Sequence, residues 1–487
     1  MAHATGRGCV GFPSLNRNLI VLARCVVAAI ILNGVAQRDG RLSPVTTVTG
    51  SRFSWFSNFL AAPPSPQQLS HKLLSLFIQD LPTMLTVNAA LASILQHTVT
   101  AAPETIPLSE CLSRVLAEDL LTPHDSPPFG KSMMDGFVIR SAGFGEGRAK
   151  LQVLETITAG TVPTQEIRTG TASRIMTGAP IPVGGDCVVP IEKVQFDEDH
   201  PDTVTISADA VAAERHVLRQ GCLAKTGEHL MQAGTLIEPQ QIAVLAEFGV
   251  AQVPVFRRPS VAVLATGDEL LPIDQPLTAG RIRNSNEPML VSQIQRANAM
   301  AVPLGIAKDE RVQLQQCIQR GLACDFLLLS GGVSAGTLDL VPSELAAAGV
   351  EQIFHKIQMK PGKPLWFGQR IVEGRSCLVF GLPGNPVSSM ICFELFVRTA
   401  LRSFCGTPKP EPKTVSATLL SNVSVRGDRV TYFPAKCELG ESGMVAEPVR
   451  WSGSADLRST ADANGMIVLE PKSDEYRSGD SVDAVLW

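Results

Sequence analysis

From residue 258 onward the apolar positions fall into a repeating order. Solid runs at 261–265, 301–306, 326–329 and 377–380 alternate with stretches whose apolar residues recur every third or fourth place, at 289–297, 314–322, 341–348 and 387–404. Solid runs are how strands buried on both faces read, and the recurring spacing marks helices. Strand and helix in alternation predict a mainly parallel sheet with right-handed crossovers. The expected fold class is multi-domain α/β plus β. It has a central three-layer αβα sandwich, an inserted small β domain, a helical linking region and a C-terminal β-barrel-like domain.

The rest of the chain follows other periods. Residues 87–95 and 108–121 show helical spacing, as do 237–247, and 251–256 reads as extended. Pro123 to Gly130 is a break, with three prolines and a glycine. Beyond it come short β-type runs at 137–139, 151–158, 171–176, 186–194 and 203–206. After a Pro-rich linker at 407–413, runs at 430–433, 466–469 and 481–486 alternate without helical spacing and predict a small antiparallel β domain or barrel. The expected divisions are a linking domain at 84–132 and 225–257, an inserted β domain at 133–224, an α/β domain at 258–406 and a β domain at 411–487.

Residues 1–83 differ in kind. They carry seven Lys or Arg against two Asp or Glu, while the whole chain has a net charge of −4. Arg24 interrupts the apolar stretch 19–36, leaving it too short to span a bilayer, and 41–68 is rich in Ser, Pro and Thr. The segment reads as a disordered extension ahead of a start at Met84; an export signal and a functional tail are the alternatives.

Composition narrows the function. Two Tyr and four Trp make an aromatic nucleic-acid platform a poor fit, and the net negative charge gives no attraction to phosphate backbones. The eleven cysteines form no C-x-x-C pair, which speaks against a zinc site or a disulfide framework. Cys377 and Cys392 sit in apolar runs and read as packed thiols in a reducing cytoplasm.

Three glycine motifs each follow a strand run: Thr266-Gly267-Asp268-Glu269, Ser330-Gly331-Gly332-Val333-Ser334 and Gly381-Leu382-Pro383-Gly384-Asn385-Pro386. Ligands of doubly wound sheets bind at the carboxyl rim, where these turns fall. Paired glycines allow backbone N–H groups to converge on an anion, and Pro386 suits the first position of a helix whose N-terminus favours negative charge. Lys360-Pro361-Gly362-Lys363-Pro364 fixes two ammonium groups on a stiff loop, a pattern for a small multiply charged oxyanion. Glu269, Asp309 and Asp339 follow strands or glycine turns and suggest magnesium held with substrate phosphates. Neither a P-loop nor a G-x-G-x-x-G fingerprint is present at these turns.

With Met134-Asp135-Gly136 and Ile175-Met176-Thr177-Gly178-Ala179-Pro180, these motifs make the stretch from Met84 to Trp487 resemble the molybdopterin molybdenumtransferases, a family to which one domain of gephyrin is related. The resemblance implies insertion of molybdate into the dithiolene of adenylyl-molybdopterin, with release of AMP and use of Mg2+. It implies a homodimer in which the inserted β domain of one chain meets the sheet domain of the other, and a possible molybdopterin adenylyltransferase as delivery partner. The residues it carries over as catalytic are Asp135, Thr177, Glu269, Asp309, Asp339, Lys356 and Lys360, with Asp309 and Asp339 on the metal. Those for substrate binding are Ser330, Gly331, Gly332, Ser334, Lys363, Pro383, Gly384, Asn385, Pro386, Ser388, Arg429 and Ser454. His229 stands where the family usually has an acid. No membrane or nucleic-acid partner is implied. The competing functions are molybdopterin adenylyltransferase and a non-catalytic scaffold.

Overall fold

Strand Ser260–Thr266 lies at the centre of the architecture, because its side chains feed two cores at once. Val261 and Val263 join one cluster and Ala262 and Leu264 another. The computed structural model describes residues 84–308, 310–332, 340–471 and 475–487. The reading of residues 1–83, and the expected site residues Asp309, Ser334 and Asp339, lie outside the described residues.

The central sheet has six strands in the order Met300–Ala307, Ser260–Thr266, Phe326–Ser330, Arg375–Leu382, Trp366–Val372, Glu351–His355. The first four run parallel. Helices Asn286–Arg296 and Pro386–Cys392 place Leu290, Ile294, Val387 and Ile391 on one face, together with Val87, Ala90 and Ile94 of helix Val87–His97. Helices Arg311–Gly321 and Val341–Ala347 cover the other with Leu314, Ile318 and Leu345. This is the three-layer sandwich that the alternating pattern predicts. Alternate residues of each buried strand serve opposite faces, so both must be apolar.

A second six-stranded sheet runs Cys187–Pro190, Gly136–Ile139, Thr171–Ile175, Arg148–Ile157, Thr203–Ser207, Val194–Phe196. Near the C-terminus, Val430–Gly440, Gly443–Pro448, Thr414–Leu419, Ser481–Leu486 and Gly465–Leu469 close into a five-strand barrel through the pairing of the first with the last. Strand Met359–Lys360, from the α/β region, adds to its edge beside Val430 and Thr431.

Two expectations need correction. The helical spacing at 108–121 gives no α-helix: only Leu108–Glu110 coils, as a 3₁₀ turn. Its apolar residues Leu108, Cys111 and Leu116 do reach a core, with Ile237, Val253 and Val255. However, the backbone bonds outward to neighbouring extended chain, with Ser113 N–H donating to Ile237 O at 2.8 Å and Ala117 N–H to Pro254 O at 3.0 Å. Those contacts displace the helix ladder. The helix expected over 387–404 is interrupted by a wider π turn at Phe393–Val397. Glu394, 3% exposed, sits in that turn and accepts from Gln293 at 2.6 Å, Arg296 at 2.6 Å and Arg398 at 3.0 Å.

Candidate functional site

The carboxyl rim of the central sheet is set by register: Ala265 lies beside Ser330, and Ser330 beside Leu382. The glycine turns therefore leave from one edge. Gly331 has φ +92°, and a side chain there would meet Thr266 O at 2.7 Å, so both the left-handed backbone and the close approach demand glycine. Its N–H is not available to an anion, because it donates to Leu382 O at 3.2 Å. Thus Gly331 supplies shape to the rim, and any anion nest depends on other donors.

Beside the Pro383–Pro386 loop, a cavity of about 360 Å³ opens between the sheet and the barrel. Of the expected site residues it brings together Lys360, Lys363, Pro383, Asn385, Ser388, Arg429 and Ser454. Its construction explains the convergence. Lys360 is fixed by pairing beside Thr431 of the barrel, and Arg429 Nη1 donates to Met359 O at 3.0 Å. Gly362, at φ +113°, lets the lysine loop press against Cys392, whose Sγ would lie 2.7 Å from any added Cβ. Asn385 Nδ2 donates to Ser454 Oγ at 3.0 Å and Val387 N–H to Ser454 O at 3.2 Å. The barrel loop thus takes one of the helix-end donors expected to face an anion.

The electrostatics of this cavity are one-sided. Lys360, Lys363 and Arg429 contribute three cationic side chains, and no carboxylate lines it among the described residues. Neither lysine forms an ion pair among the described residues, and Arg429 has only a 3.8 Å contact with exposed Asp428. A larger cavity of about 500 Å³ is lined by Glu411, Asp428, Glu470 and Asp483 and has the wrong sign for an oxyanion. Charge, not size, picks the candidate site.

Other expected residues fall elsewhere. Glu269 is exposed beyond strand Ser260–Thr266, and its carbonyl accepts from Ile282 N–H at 2.8 Å. Lys356 lies on the connector ahead of Lys360 with φ 72°, its N–H bonded to Leu365 O, outside the cavity lining. Gly384 and Pro386 shape the loop without lining the cavity. In the inserted sheet, Asp135 Oδ1 accepts from Thr177 N–H at 2.6 Å and Thr177 Oγ1 at 2.7 Å. The Thr177 backbone donor, then its hydroxyl, hold the Asp135 carboxyl below the usual carboxylate range. The two residues form an exposed pair, and the cavity lining does not include them. His229 is exposed in strand His229–Met231. Cys377 and Cys392 are buried, and burial pushes the Cys377 thiol up to about 12.

Sequence reasoning passed over several cavity residues. Trp451 stacks edge-on against Phe433 with centroids 5.0 Å apart, and its buried indole N–H has no partner among the described residues. Thr431 lines the wall beside it. The available signal was a tryptophan next to Ser452-Gly453-Ser454, a polar turn in which a large aromatic has no obvious place.

A sheet with glycine turns at its carboxyl rim, beside a cavity whose described charged side chains are all cationic, makes this an α/β protein with a candidate anion site. The comparisons with known proteins make the class specific. Residues 85–249 match the MoeA N-terminal region (domain I and II), 262–403 the probable molybdopterin binding domain, and 416–487 the MoeA C-terminal region (domain IV). A molybdopterin molybdenumtransferase from Staphylococcus aureus (strain COL) is 35% identical over 408 residues, covering 82% of this chain and 95% of that protein. One from Bacillus subtilis (strain 168) is 32% identical over 409 residues, covering 83% and 94%. The crystal structure of a molybdopterin biosynthesis MoeA protein from Pyrococcus horikoshii superposes with a TM-score of 0.71 at 28% identity, covering 83% of this chain and 99% of that one. The chain belongs to the MoeA family of molybdopterin molybdenumtransferases.

Proposed function

We propose that this protein is a molybdopterin molybdenumtransferase, which inserts molybdate into the dithiolene of adenylyl-molybdopterin and releases AMP. The observation that carries this reading is the cavity in which Lys360, Lys363 and Arg429 meet Ser388 with no opposing carboxylate among the described residues. Three cations and a hydroxyl suit a tetrahedral, doubly charged oxyanion, and charge-assisted hydrogen bonds are roughly twice as strong as neutral ones. We assign the diphosphate that joins the pterin to AMP to the neighbouring glycine turns.

In this account Lys360, Lys363 and Ser388 hold molybdate, while Arg429 positions the Lys360 strand through Met359 O. Pro383, Gly384, Asn385 and Pro386 form the wall between the two substrates, with Ser454 pinning Asn385. Ser330, Gly331, Gly332 and Ser334 are assigned to the phosphate side, and Glu269 and Lys356 to its edge. Magnesium would neutralise the diphosphate and make AMP a better leaving group, and we assign it to Asp309 and Asp339. The described residues hold no cluster of three or more His, Cys, Asp or Glu. Magnesium is ordinarily bound by one or two carboxylates together with substrate phosphates.

We further propose a homodimer in which Asp135 and Thr177 of one chain complete the site of the other. Their support is a rigid, exposed pair with Met133 and Met134, 53% and 37% exposed, beside it. A closed two-fold assembly would present this patch twice. Among the described residues no helix is long and apolar enough to cross a membrane, and we place the enzyme in the cytoplasm. A molybdopterin adenylyltransferase is the proposed source of the adenylate.

The test is AMP release from purified adenylyl-molybdopterin, with and without molybdate. The reading predicts molybdate-dependent release. Formation of the adenylate from ATP and molybdopterin would instead establish the adenylyltransferase activity, and no turnover in either direction would favour a scaffold.

A further inference from the structure

Asn286 opens helix Asn286–Arg296 and is 8% exposed. Its Nδ2 donates to Ser330 Oγ at 2.6 Å and to Gly384 O at 2.8 Å. These acceptors belong to two different rim loops. A carbonyl can only accept, so the contact with Gly384 fixes which end of the amide is nitrogen. Both Nδ2 hydrogens are thereby used. Oδ1 is left buried with no partner among the described residues.

That imbalance is informative. An unsatisfied buried acceptor destabilises a fold, and an apolar side chain of similar volume would avoid the penalty. The amide therefore sits here at a cost to stability, and what it provides is the pair of donors. Those donors tie the Ser330-Gly331-Gly332 turn to the Pro383–Pro386 loop. The backbones of the two loops lie close, since an added Cβ on Gly384 would stand 3.7 Å from Gly331 Cα. The lysine loop is held separately, by barrel pairing at Lys360 and by Arg429.

We propose that Asn286 is a positioning residue of the transferase site: it clamps the two rim loops at the spacing that the diphosphate of the adenylylated pterin requires. The inference rests on the transferase reading and adds a residue to it. Asn286 acts through Ser330 and Gly384 and takes no part in bond making. Because the lysine loop has its own supports, loss of the clamp should impair one substrate more than the other.

The experiment measures AMP release at varied adenylyl-molybdopterin and varied molybdate for the full chain, for Asn286→Asp and for Asn286→Ala. Asn286→Asp keeps the shape and replaces both donors with acceptors; Asn286→Ala serves if the acid prevents folding. The clamp predicts a rise of about tenfold in KM for the adenylylated pterin in either variant, the equivalent of one lost hydrogen bond of roughly 1.4 kcal/mol. KM for molybdate should change less than about threefold, half or less of that bond energy. Gln293→Leu is the control. Gln293 lies on the same helix, bonded to Met390 O at 3.3 Å and Glu394 Oε1 at 2.6 Å, and its loss should lower the melting temperature with both KM values unchanged. Equal rises in both KM values, or unchanged KM with only a lower melting temperature, would overturn the clamp. If the wild-type protein neither binds the adenylylated pterin nor releases AMP, the transferase reading falls and the inference with it.

Discussion

The cavity beside the barrel and the Asp135–Thr177 pair of the inserted sheet were both marked by sequence motifs, yet the fold treats them differently. In the first, residues from four separate stretches, 360–364, 383–388, 424–433 and 451–454, meet in one space. In the second, an exposed acid and threonine are hydrogen-bonded to each other. A motif can thus mark residues that one chain gathers into a cavity or, on the homodimer proposal, one half of a site finished by a second chain. Convergence of charge distinguishes the first kind, and a preorganised but solitary pair the second.

The largest effect should come from breaking both halves in separate chains. Lys360→Ala and Asp135→Ala should each keep no more than about a tenth of the activity alone. If the site is shared, mixing them after dissociation should restore about a quarter of the activity, because half the dimers are mixed and each then holds one intact site of two. No recovery on mixing would place Asp135 in its own chain's site or outside catalysis.

Within the cavity the expected order follows charge. Lys360→Ala or Lys363→Ala should lower kcat/KM for molybdate roughly 10- to 100-fold, the loss of a charge-assisted hydrogen bond, and Ser388→Ala about 2- to 10-fold. Steady-state rates at varied molybdate check the ranking. Equal effects would show that charge does not organise the site.

Acid should discriminate the two regions more gently. The Asp135 carboxyl is held below its ordinary range, so its contact with Thr177 is present above an unfolded pKa near 4 and is lost only as pH falls through the lower folded value. Between about pH 5 and 8 this pair should therefore contribute no pH dependence. A pH profile of AMP release that loses an acid limb above pH 5 in Asp135→Asn would contradict this.

Much of the fold was legible because its central strands are buried on both faces. Such strands must be apolar at successive positions, and the glycine turns punctuate them. The cavity's lysines and Ser388 were legible for a related reason: prolines and glycines flank each and fix its loop. Other features have no local signature. The antiparallel strand Trp366–Val372 turns back through Glu373 and Gly374, both at positive φ, a tight hairpin without the usual Asn-Gly or Asp-Gly. The helical spacing at 108–121 satisfied a core equally well as extended chain, because neighbouring strands supplied its backbone partners. Trp451 and Asn286 escaped notice because what sets them apart, a buried indole N–H and a buried amide oxygen without partners among the described residues, appears only in the packing.

The most direct test is to locate the oxyanion. Crystals soaked with molybdate and measured at the molybdenum absorption edge should show one anomalous peak bounded by Lys360, Lys363, Ser388 and Arg429. A fully occupied peak at any other place, with that cavity empty, would contradict the account.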